Sequence, residues 1–286
     1  MSMQELLHLV ASLEDAVDHT EGKKALRQFG FISCTNTVRL KRAPFYEPCL
    51  IVVLAGRKVI FDRDGPIIAK LGDILTVPGP ASFDIRNEPE ARNKKYRALI
   101  IPFSHELLAS VARIHHLDSD PHQDAVVTLK FSGDDLLLSA IKHYLSSPDD
   151  AKLTLHRLME ILLILMKRNQ ALFSYVLQVA HWSQKVRAIL STDLARSWEI
   201  ETVCEHLATT ESTLRRHLKS EKTGFRDLLS ELRLATALIM LLQTAHSINR
   251  IALDCGYQSV SRFSHNFHKR FGAPPTVLRE NMSVSE

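Results

Sequence analysis

The sequence predicts an α+β chain of two domains. The N-terminal domain is a β-rich barrel with flanking helices, and the C-terminal domain is all-α with two helix-turn-helix motifs joined by a long helix. Short β-rich runs alternate with turn residues between residues 29 and 103. Two helix-turn-helix patterns then lie in the last third of the chain, separated by a long apolar stretch without Gly or Pro.

The N-terminal elements follow from changes in hydrophobic period. Leu6, Val10 and Leu13 give residues 3–19 a helical stripe. Beyond them, turn residues such as Gly56, Gly65 and Gly72 separate runs of β-forming residues, a pattern shared by sandwiches and barrels. The predicted strands are 31–40, 46–54, 58–62, 73–77, 82–86 and 96–103, and the predicted helices that follow them are 105–116, 134–146 and 153–170.

Domain limits follow from these elements. We place a regulatory or oligomerisation domain at 1–170, a linker at 171–182 and an all-α domain at 183–282.

The helix predicted at 153–166 is apolar almost all round, which is typical of a buried helix. It is expected to pack under the barrel or against a second subunit.

The second helix-turn-helix motif, at 248–271, has the sharper pattern. Gly256 stands where a helix must stop and reverse, and glycine readily adopts the positive φ that such a turn requires. Phe263, Phe267 and Phe271 recur every four residues and share one helical face. The opposite face is short-polar or cationic, as a helix in a DNA groove requires, although most helices of this kind are ordinary surface helices. Its candidate DNA-binding residues are Ser261, Arg262, His265 and Lys269.

The first motif, at 200–221, has no glycine in its turn. Thr209 and Thr210 supply turn and N-cap chemistry, and Leu214 with Leu218 forms the inward stripe of the second helix. The candidate DNA-binding residues are Ser212, Arg216 and Lys219 on the opposite face, with Thr213 and Arg215 beside them.

A connecting helix is predicted at 225–243. Nineteen residues would span roughly 28 Å at about 1.5 Å per residue. Successive major-groove faces lie about 34 Å apart, so a stiff connector of this length would let one chain present two reading helices to the same side of a duplex.

Residues in both motifs carry a family resemblance. Residues 183–280 resemble the DNA-binding domain of the AraC/XylS family of bacterial transcription regulators. This chain departs from the family pattern at His265, His268 and Leu278, and at Lys222 and Gly224 in the turn after the first motif. The matching residues are Leu214, Arg216, Leu218, Lys219, Glu221, Thr223, Phe225, Arg226 and Leu228, then Ile248, Ile251, Ala252, Gly256, Tyr257, Gln258, Ser259, Ser261, Phe263, Phe267, Lys269, Phe271, Gly272, Pro275 and Arg279.

The N-terminal domain carries a second resemblance. Residues 44–50, 53–58 and 72–78 are similar to the cupin-like N-terminal domain of one branch of the same family. The resemblance implies a regulatory domain with a small effector in the barrel, without indicating which effector. Tyr46, Arg57 and Arg86 are conceivable pocket residues, although strand packing and surface charge explain them equally well.

Together the two resemblances imply a sequence-specific DNA-binding transcription regulator. Its expected partners are double-stranded promoter or operator DNA and RNA polymerase, and the pattern allows a small-molecule effector and a homodimer. The net charge is only +4, but residues 250–279 hold five basic side chains against Asp254, so positive charge is concentrated where phosphate contact requires it. The four cysteines show no CxxC spacing and no apolar run approaches the roughly 20 residues of a membrane span, so we expect a cytoplasmic protein.

The rival function is a small-molecule-binding cupin enzyme whose helical tail is a scaffold. Metal-dependent cupins require clustered His and carboxylate ligands on their strands, and this chain has no histidine between His19 and His105. Motifs for phosphate, dinucleotide or serine-hydrolase chemistry are also missing from the sequence. We therefore expect no catalytic residues, no metal and no cofactor.

Overall fold

A computed structural model of the 286-residue chain describes residues 3–18, 29–77, 79–115, 128–146, 150–168 and 182–282. The chain divides into two compact units, with the boundary near residue 178. The first unit contains the β-strands with their flanking helices, and the second is helical.

The N-terminal unit contains two β-sheets. The larger sheet has the order β1-β8-β3-β6-β9, and the smaller has the order β2-β7-β4-β5. The pairings of β3 with β6 and β8, and of β4 with β5 and β7, are antiparallel. The strands are β1 Gly30–Cys34, β2 Val38–Phe45, β3 Cys49–Ala55, β4 Arg57–Asp62, β5 Gly65–Lys70, β6 Asp73–Val77, β7 Ala81–Glu88, β8 Tyr96–Pro102 and β9 Leu129–Ser132.

Strand β3 lies at the centre of this unit and is buried on both faces. Leu50, Val52 and Leu54 join a core cluster that includes residues of the surrounding helices. Because side chains alternate along a strand, Cys49, Ile51 and Val53 point to the other face, where β5 of the smaller sheet lies beside β3. The helices of this unit are α1 Met3–Asp18, α2 His105–Ile114, α3 Asp135–Leu145 and α4 Ala151–Arg168.

Helix α4 contributes Ile161, Leu162 and Leu165 to the same core cluster. Of the two arrangements expected for this apolar helix, the structure shows packing within the N-terminal unit.

The α+β two-domain class with a β-rich N-terminal domain is confirmed, but the predicted barrel is not closed. In the described part of the chain, β1 and β9 remain edges of the larger sheet, and β2 and β5 remain edges of the smaller one. Alternation and turn spacing are common to sandwiches and barrels. Closure depends on whether edge strands pair with each other, which the pattern of one sequence does not specify.

The C-terminal unit contains the two predicted helix-turn-helix pairs and the predicted long connector. The first pair is α6 and α7, and the second is α9 and α10. The connector α8 contacts α5 as well as α9, α10 and α11, so it packs against helices that precede and follow it. The helices are α5 Trp182–Leu190, α6 Ile200–His206, α7 Glu211–Ser220, α8 Phe225–Gln243, α9 Ile248–Asp254, α10 Val260–Phe271 and α11 Pro275–Asn281.

Two further properties bear on function. Among the residues that the structure describes, no helix has both the length and the apolar character that a bilayer span requires. The same residues contain no cluster of three or more His, Cys, Asp or Glu side chains suited to a metal ion.

Candidate nucleic-acid interface

The turn of the second motif requires glycine at residue 256 for two reasons. Gly256 has a φ of +76°, in the left-handed region that side chains with a Cβ disfavour. A Cβ at this position would also lie 2.4 Å from the carbonyl oxygen of Leu194 and 2.6 Å from Nη2 of Arg233. The helix reversal predicted at this residue is therefore confirmed. Both the left-handed φ and the lack of room for a Cβ require glycine there.

The first motif makes the same turn with alanine. Ala208 has a φ of +48° and is exposed. The Thr209 amide donates to the Cys204 carbonyl at 3.0 Å, and the Tyr257 amide donates to the Ala252 carbonyl at 2.9 Å in the second motif. The two turns therefore close with equivalent hydrogen bonds. The first turn lacks a glycine in its sequence because a solvent-exposed alanine occupies the left-handed position.

Each motif's second helix, which we call its recognition helix, begins at a side-chain cap. The Thr210 hydroxyl accepts from the Thr213 amide at 3.3 Å at the start of α7, and the Ser259 hydroxyl accepts from the Arg262 amide at 3.4 Å at the start of α10. These caps define where each helix starts.

The inward faces of both recognition helices are apolar and buried. Leu214 and Leu218 are buried on α7. On α10, the Phe263 and Phe267 ring centroids lie 5.5 Å apart, and those of Phe267 and Phe271 lie 4.7 Å apart. Because these faces are fixed in the core, the opposite faces must point outward.

The predicted contact residues lie on those outward faces. On α7, Ser212, Arg215, Arg216 and Lys219 are exposed, and Thr213 is half-buried with its hydroxyl 2.9 Å from that of Thr210. On α10, the predicted residues are all exposed; they are Ser261, Arg262, His265 and Lys269. The structure thus groups the nine candidates into two polar helix surfaces.

Positions on the two recognition helices correspond to each other in sequence. The offset between the caps Thr210 and Ser259 also relates Ser212 to Ser261 and Arg216 to His265. Serine therefore occupies the first exposed position of each recognition helix. A residue that can donate hydrogen bonds follows one helical turn later.

Ion pairing distinguishes the basic residues of this unit. On α7, Arg215 Nε lies 2.6 Å from Glu211 Oε1, within the same helix. On the two recognition helices, four cations are exposed and their side chains have no ionic or hydrogen-bonded partner among the described residues. They are Arg216 and Lys219 on α7, and Arg262 and Lys269 on α10.

The local excess of positive charge is smaller than the sequence count predicts. Arg250 pairs with Asp254 at 2.9 Å, and Arg270 pairs with Glu231 at 2.7 Å with only 13% of its side chain exposed. Arg279 donates to backbone carbonyls, including that of His246 at 2.7 Å. Three of the five basic residues at 250–279 therefore have acceptors within the fold. Arg250 pairs within its own helix, whereas segments distant in sequence bring acceptors to Arg270 and Arg279.

The first recognition helix is held in place by contacts that the sequence did not indicate. The Glu221 carboxylate, just after α7, accepts from the amides of Trp182 at 2.7 Å and Ser183 at 3.0 Å, at the start of α5. The Trp182 ring stacks on His217 of α7, with centroids 4.4 Å apart and planes 10° apart. Glu221 was recognised only as a family match, and nothing in the sequence indicated its partners.

A second unpredicted contact involves the connector. Arg233 of α8 donates to the carbonyls of Leu194 at 3.0 Å and Arg196 at 2.9 Å. These bonds fix the segment between α5 and α6 beside Gly256, whose missing side chain makes room for the guanidinium.

Comparisons with known proteins agree with this arrangement. A family described as a helix-turn-helix domain matches residues 203–281, and one described as the ExsA N-terminal regulatory domain matches residues 48–175.

The transcriptional activator CfaD and the dual regulator Rns of Escherichia coli are each 34% identical over 101 residues, which are 35% of this chain and 38% of theirs. The regulator YdeO of Shigella flexneri is 40% identical over 99 residues, which are 34% of this chain and 39% of its own. The chain thus spans less than two fifths of the length of these relatives.

Solved structures show that the two-unit fold has precedent. ToxT of Vibrio cholerae has a TM-score of 0.62 at 14% identity, over 90% of this chain and 99% of ToxT. A structure of ToxT with a bound unsaturated fatty acid has a TM-score of 0.61 at 13% identity, over 90% of this chain and 96% of that chain.

The family matches fall on both units, and the C-terminal match covers both turns and both recognition helices. These matches, together with the regulators of similar sequence, support membership of the AraC/XylS family.

Proposed function

We propose that this protein is a transcription regulator that binds double-stranded promoter or operator DNA sequence-specifically through both helix-turn-helix motifs. One observation carries the proposal. Each recognition helix is fixed by a buried apolar face, and its outward face presents two exposed cations that the described part of the chain leaves unpaired. Such cations are available to replace the counterions of DNA phosphates.

Individual roles follow from position. Arg216 lies at the centre of its outward face, where an arginine can bind O6 and N7 of guanine. His265, at the equivalent position of α10, donates to a base edge. Lys219, Arg262 and Lys269 contact phosphates, which fix orientation without reading sequence.

The remaining candidates contribute less. Ser212 and Ser261 donate to phosphates at the groove edge, and Thr213 stays hydrogen-bonded to Thr210, the residue that caps α7. Arg215 adds little net charge because Glu211 neutralises it.

The N-terminal unit, with limits near 1–170, is proposed to control DNA binding. The match to a regulatory domain supports this role, and fatty-acid-bound ToxT supports control by a small molecule. We further propose RNA polymerase as a partner, a homodimer as the regulated state and the cytoplasm as the location. The relatives are transcription regulators, and we propose no enzymatic activity.

Selection of duplexes from a random library by the full-length protein tests the proposal. Binding to the enriched duplex is then titrated at about 0.15 M salt, because salt sets the non-specific affinity. Arg216→Ala should weaken binding by about 1–3 kcal/mol if Arg216 reads a base. Arg63→Ala, which removes one positive charge from an exposed hairpin turn of the N-terminal unit, is the matched control and should leave affinity unchanged.

Two outcomes would revise the account. An equal loss on all duplexes, with a shallower dependence on salt, would reassign Arg216 to a phosphate. Undiminished binding by Arg216→Ala would remove it from the interface.

A further inference from the structure

The interior of the N-terminal unit, between its two sheets, contains a buried lysine. Lys58 of β4 pairs in register with Ala69 and Asn87, and all three are almost completely buried. Its neighbours in sequence point the other way, so that Arg57 is exposed and pairs with Glu88. Lys58 therefore points inward, towards the larger sheet.

The surroundings of the Lys58 ammonium contain one acceptor. Nζ donates to Asn87 Oδ1 at 2.9 Å and lies 6.0 Å from the centroid of the Tyr96 ring. The thiols of Cys49 and Cys34, from the larger sheet, are also close enough to act electrostatically on Lys58. Glu47 influences Cys49 but is not among the groups that act on Lys58. In the described part of the chain, the ammonium therefore has no counter-charge.

Its other neighbours are hydrogen-bond donors. Burial raises the pKa of Cys34 and of Cys49 to about 12, and it raises the pKa of Tyr96 well above its ordinary value. All three are protonated at neutral pH. The Tyr96 hydroxyl is buried and has no hydrogen-bond partner among the described residues. An ammonium, a phenol and two neutral thiols thus converge, and the one amide oxygen bonded to the ammonium brings no negative charge.

Such a cluster is unfavourable unless something compensates it. A buried cation without a counter-charge costs several kcal/mol, and an unsatisfied buried hydroxyl costs about 1–3 kcal/mol. Proteins retain groups that weaken the fold mainly where function requires them. The missing component is an acceptor with negative charge.

We propose that Lys58, Tyr96 and Asn87 form a binding site for the anionic group of a small organic effector, between the sheets of the N-terminal unit. Ile60, next along β4 on the same face, and its cross-strand partner Ile85 provide apolar surface for the body of the molecule. Carboxylates and phosphate monoesters share the required chemistry. The inference rests on the proposed regulatory role of this unit and adds the class of ligand and its site.

Thermal unfolding of the full-length protein with three matched probes tests the site. Hexanoate and hexyl phosphate carry the two anionic groups on the same chain, and hexan-1-ol carries none. At about 10 mM, at least one anion should raise the melting temperature and hexan-1-ol should not. Which anion is more effective distinguishes a carboxylate from a phosphate ligand. Equal stabilisation by hexan-1-ol, or no effect of either anion, would overturn the proposal.

Variants identify the residues. Lys58→Met should weaken anion binding at least about ten-fold, whereas Lys70→Met, an exposed lysine on the adjacent strand, should not change it. Tyr96→Phe should weaken binding about three-fold through loss of one hydrogen bond. Unchanged anion affinity in Lys58→Met would refute the site.

A pH series on the unmodified protein gives an answer even if Lys58→Met does not fold. Burial lowers the pKa of Lys58 to about 8, so anion affinity should fall as pH rises through 8 to 9. Affinity independent of pH across this range would contradict a role for the ammonium.

DNA binding is measured separately. If an anion binds but leaves affinity for the selected duplex unchanged, the site stands and the regulatory role of this unit fails. If the protein binds no DNA at all, the melting experiment still decides whether the site exists.

Discussion

Gly256 and Ala208 occupy equivalent left-handed positions in the two turns, in different surroundings. Gly256 lies against the Leu194 carbonyl and the Arg233 guanidinium, whereas Ala208 is exposed. At Gly256, both the left-handed backbone and the lack of room disfavour a side chain. At Ala208, only the left-handed backbone does. Substitutions at the two positions should consequently have opposite effects.

Gly256→Ala should destabilise the protein by about 2–4 kcal/mol. The left-handed conformation costs an alanine roughly 1–2 kcal/mol, and the clash at 2.4 Å with the backbone adds to that cost. Urea unfolding followed by circular dichroism measures the change. A loss below about 0.5 kcal/mol would show that the turn relaxes without difficulty.

Ala208→Gly is the reverse experiment. Release of the strained φ gains about 1 kcal/mol, and the greater freedom of glycine in the unfolded chain costs about 0.4–1 kcal/mol. We expect stability to be unchanged or to rise slightly in the same assay. A marked loss would mean that the Ala208 methyl makes contacts that its exposure does not indicate.

Lys58 predicts a particular dependence of stability on pH. Its folded-state pKa is about 8, below the ordinary value of 10.5. Below pH 8 both states hold the proton and the burial cost applies in full. Between pH 8 and 10.5 the unfolded state holds more protons than the folded state, so this residue's contribution to stability rises with pH.

Lys58→Met should remove that rise. At pH 7, without ligand, the variant should be more stable than the original protein by on the order of 1 kcal/mol, since it removes an uncompensated buried charge. The difference should shrink as pH increases from 8 to 10. A difference constant with pH would indicate that Lys58 does not titrate in this window.

At the scale of elements, the sequence was most informative where periodic patterns were long. The aromatic stripe of α10 and the apolar connector α8 predicted both helices because each pattern spans several turns. Strands β5 and β9 were not predicted. Pro66 lies within β5, which is tolerated because β5 is an edge strand, and β9 is only four residues long.

Contacts between elements could not be predicted from the sequence. The pairing of Arg270 with Glu231 and the capping of α5 by Glu221 join residues far apart in the chain. The outward positions of Arg216 and Lys269 were predictable, because one buried stripe defines the opposite face of a helix. Which cations remain unpaired depends on tertiary contacts, and so does closure of the sheets.

The Glu221 cap predicts an effect that spans two elements. Glu221→Gln should reduce stability by about 0.5–2 kcal/mol, because the amide group is a weaker acceptor at the start of α5. The first recognition helix should also become less well oriented, so affinity for the selected duplex should fall a few-fold. Unfolding and DNA titrations measure the two effects, and loss of neither would show that Trp182 and His217 hold the helices together unaided.

At the scale of the molecule, the three unpaired cations assigned to phosphates, Lys219, Arg262 and Lys269, predict the dependence of DNA binding on salt. Log K should fall with log salt at a slope of about −0.9 per contact, or roughly −3 in total. Replacing Lys269 with alanine should reduce the slope by about one, whereas Arg250→Ala should change it less because Asp254 already neutralises Arg250. Equal changes in slope for the two variants would show that pairing does not determine which cations reach DNA.

The claim that one chain places two recognition helices on DNA together is tested most directly by hydroxyl-radical footprinting of the full-length protein on its selected duplex. The account predicts two protected windows on one face of the DNA, with centres about 10 base pairs apart. Arg216→Ala should weaken one window and Lys269→Ala the other. A single window that both substitutions weaken equally, or protection without preference for the selected duplex, would contradict it.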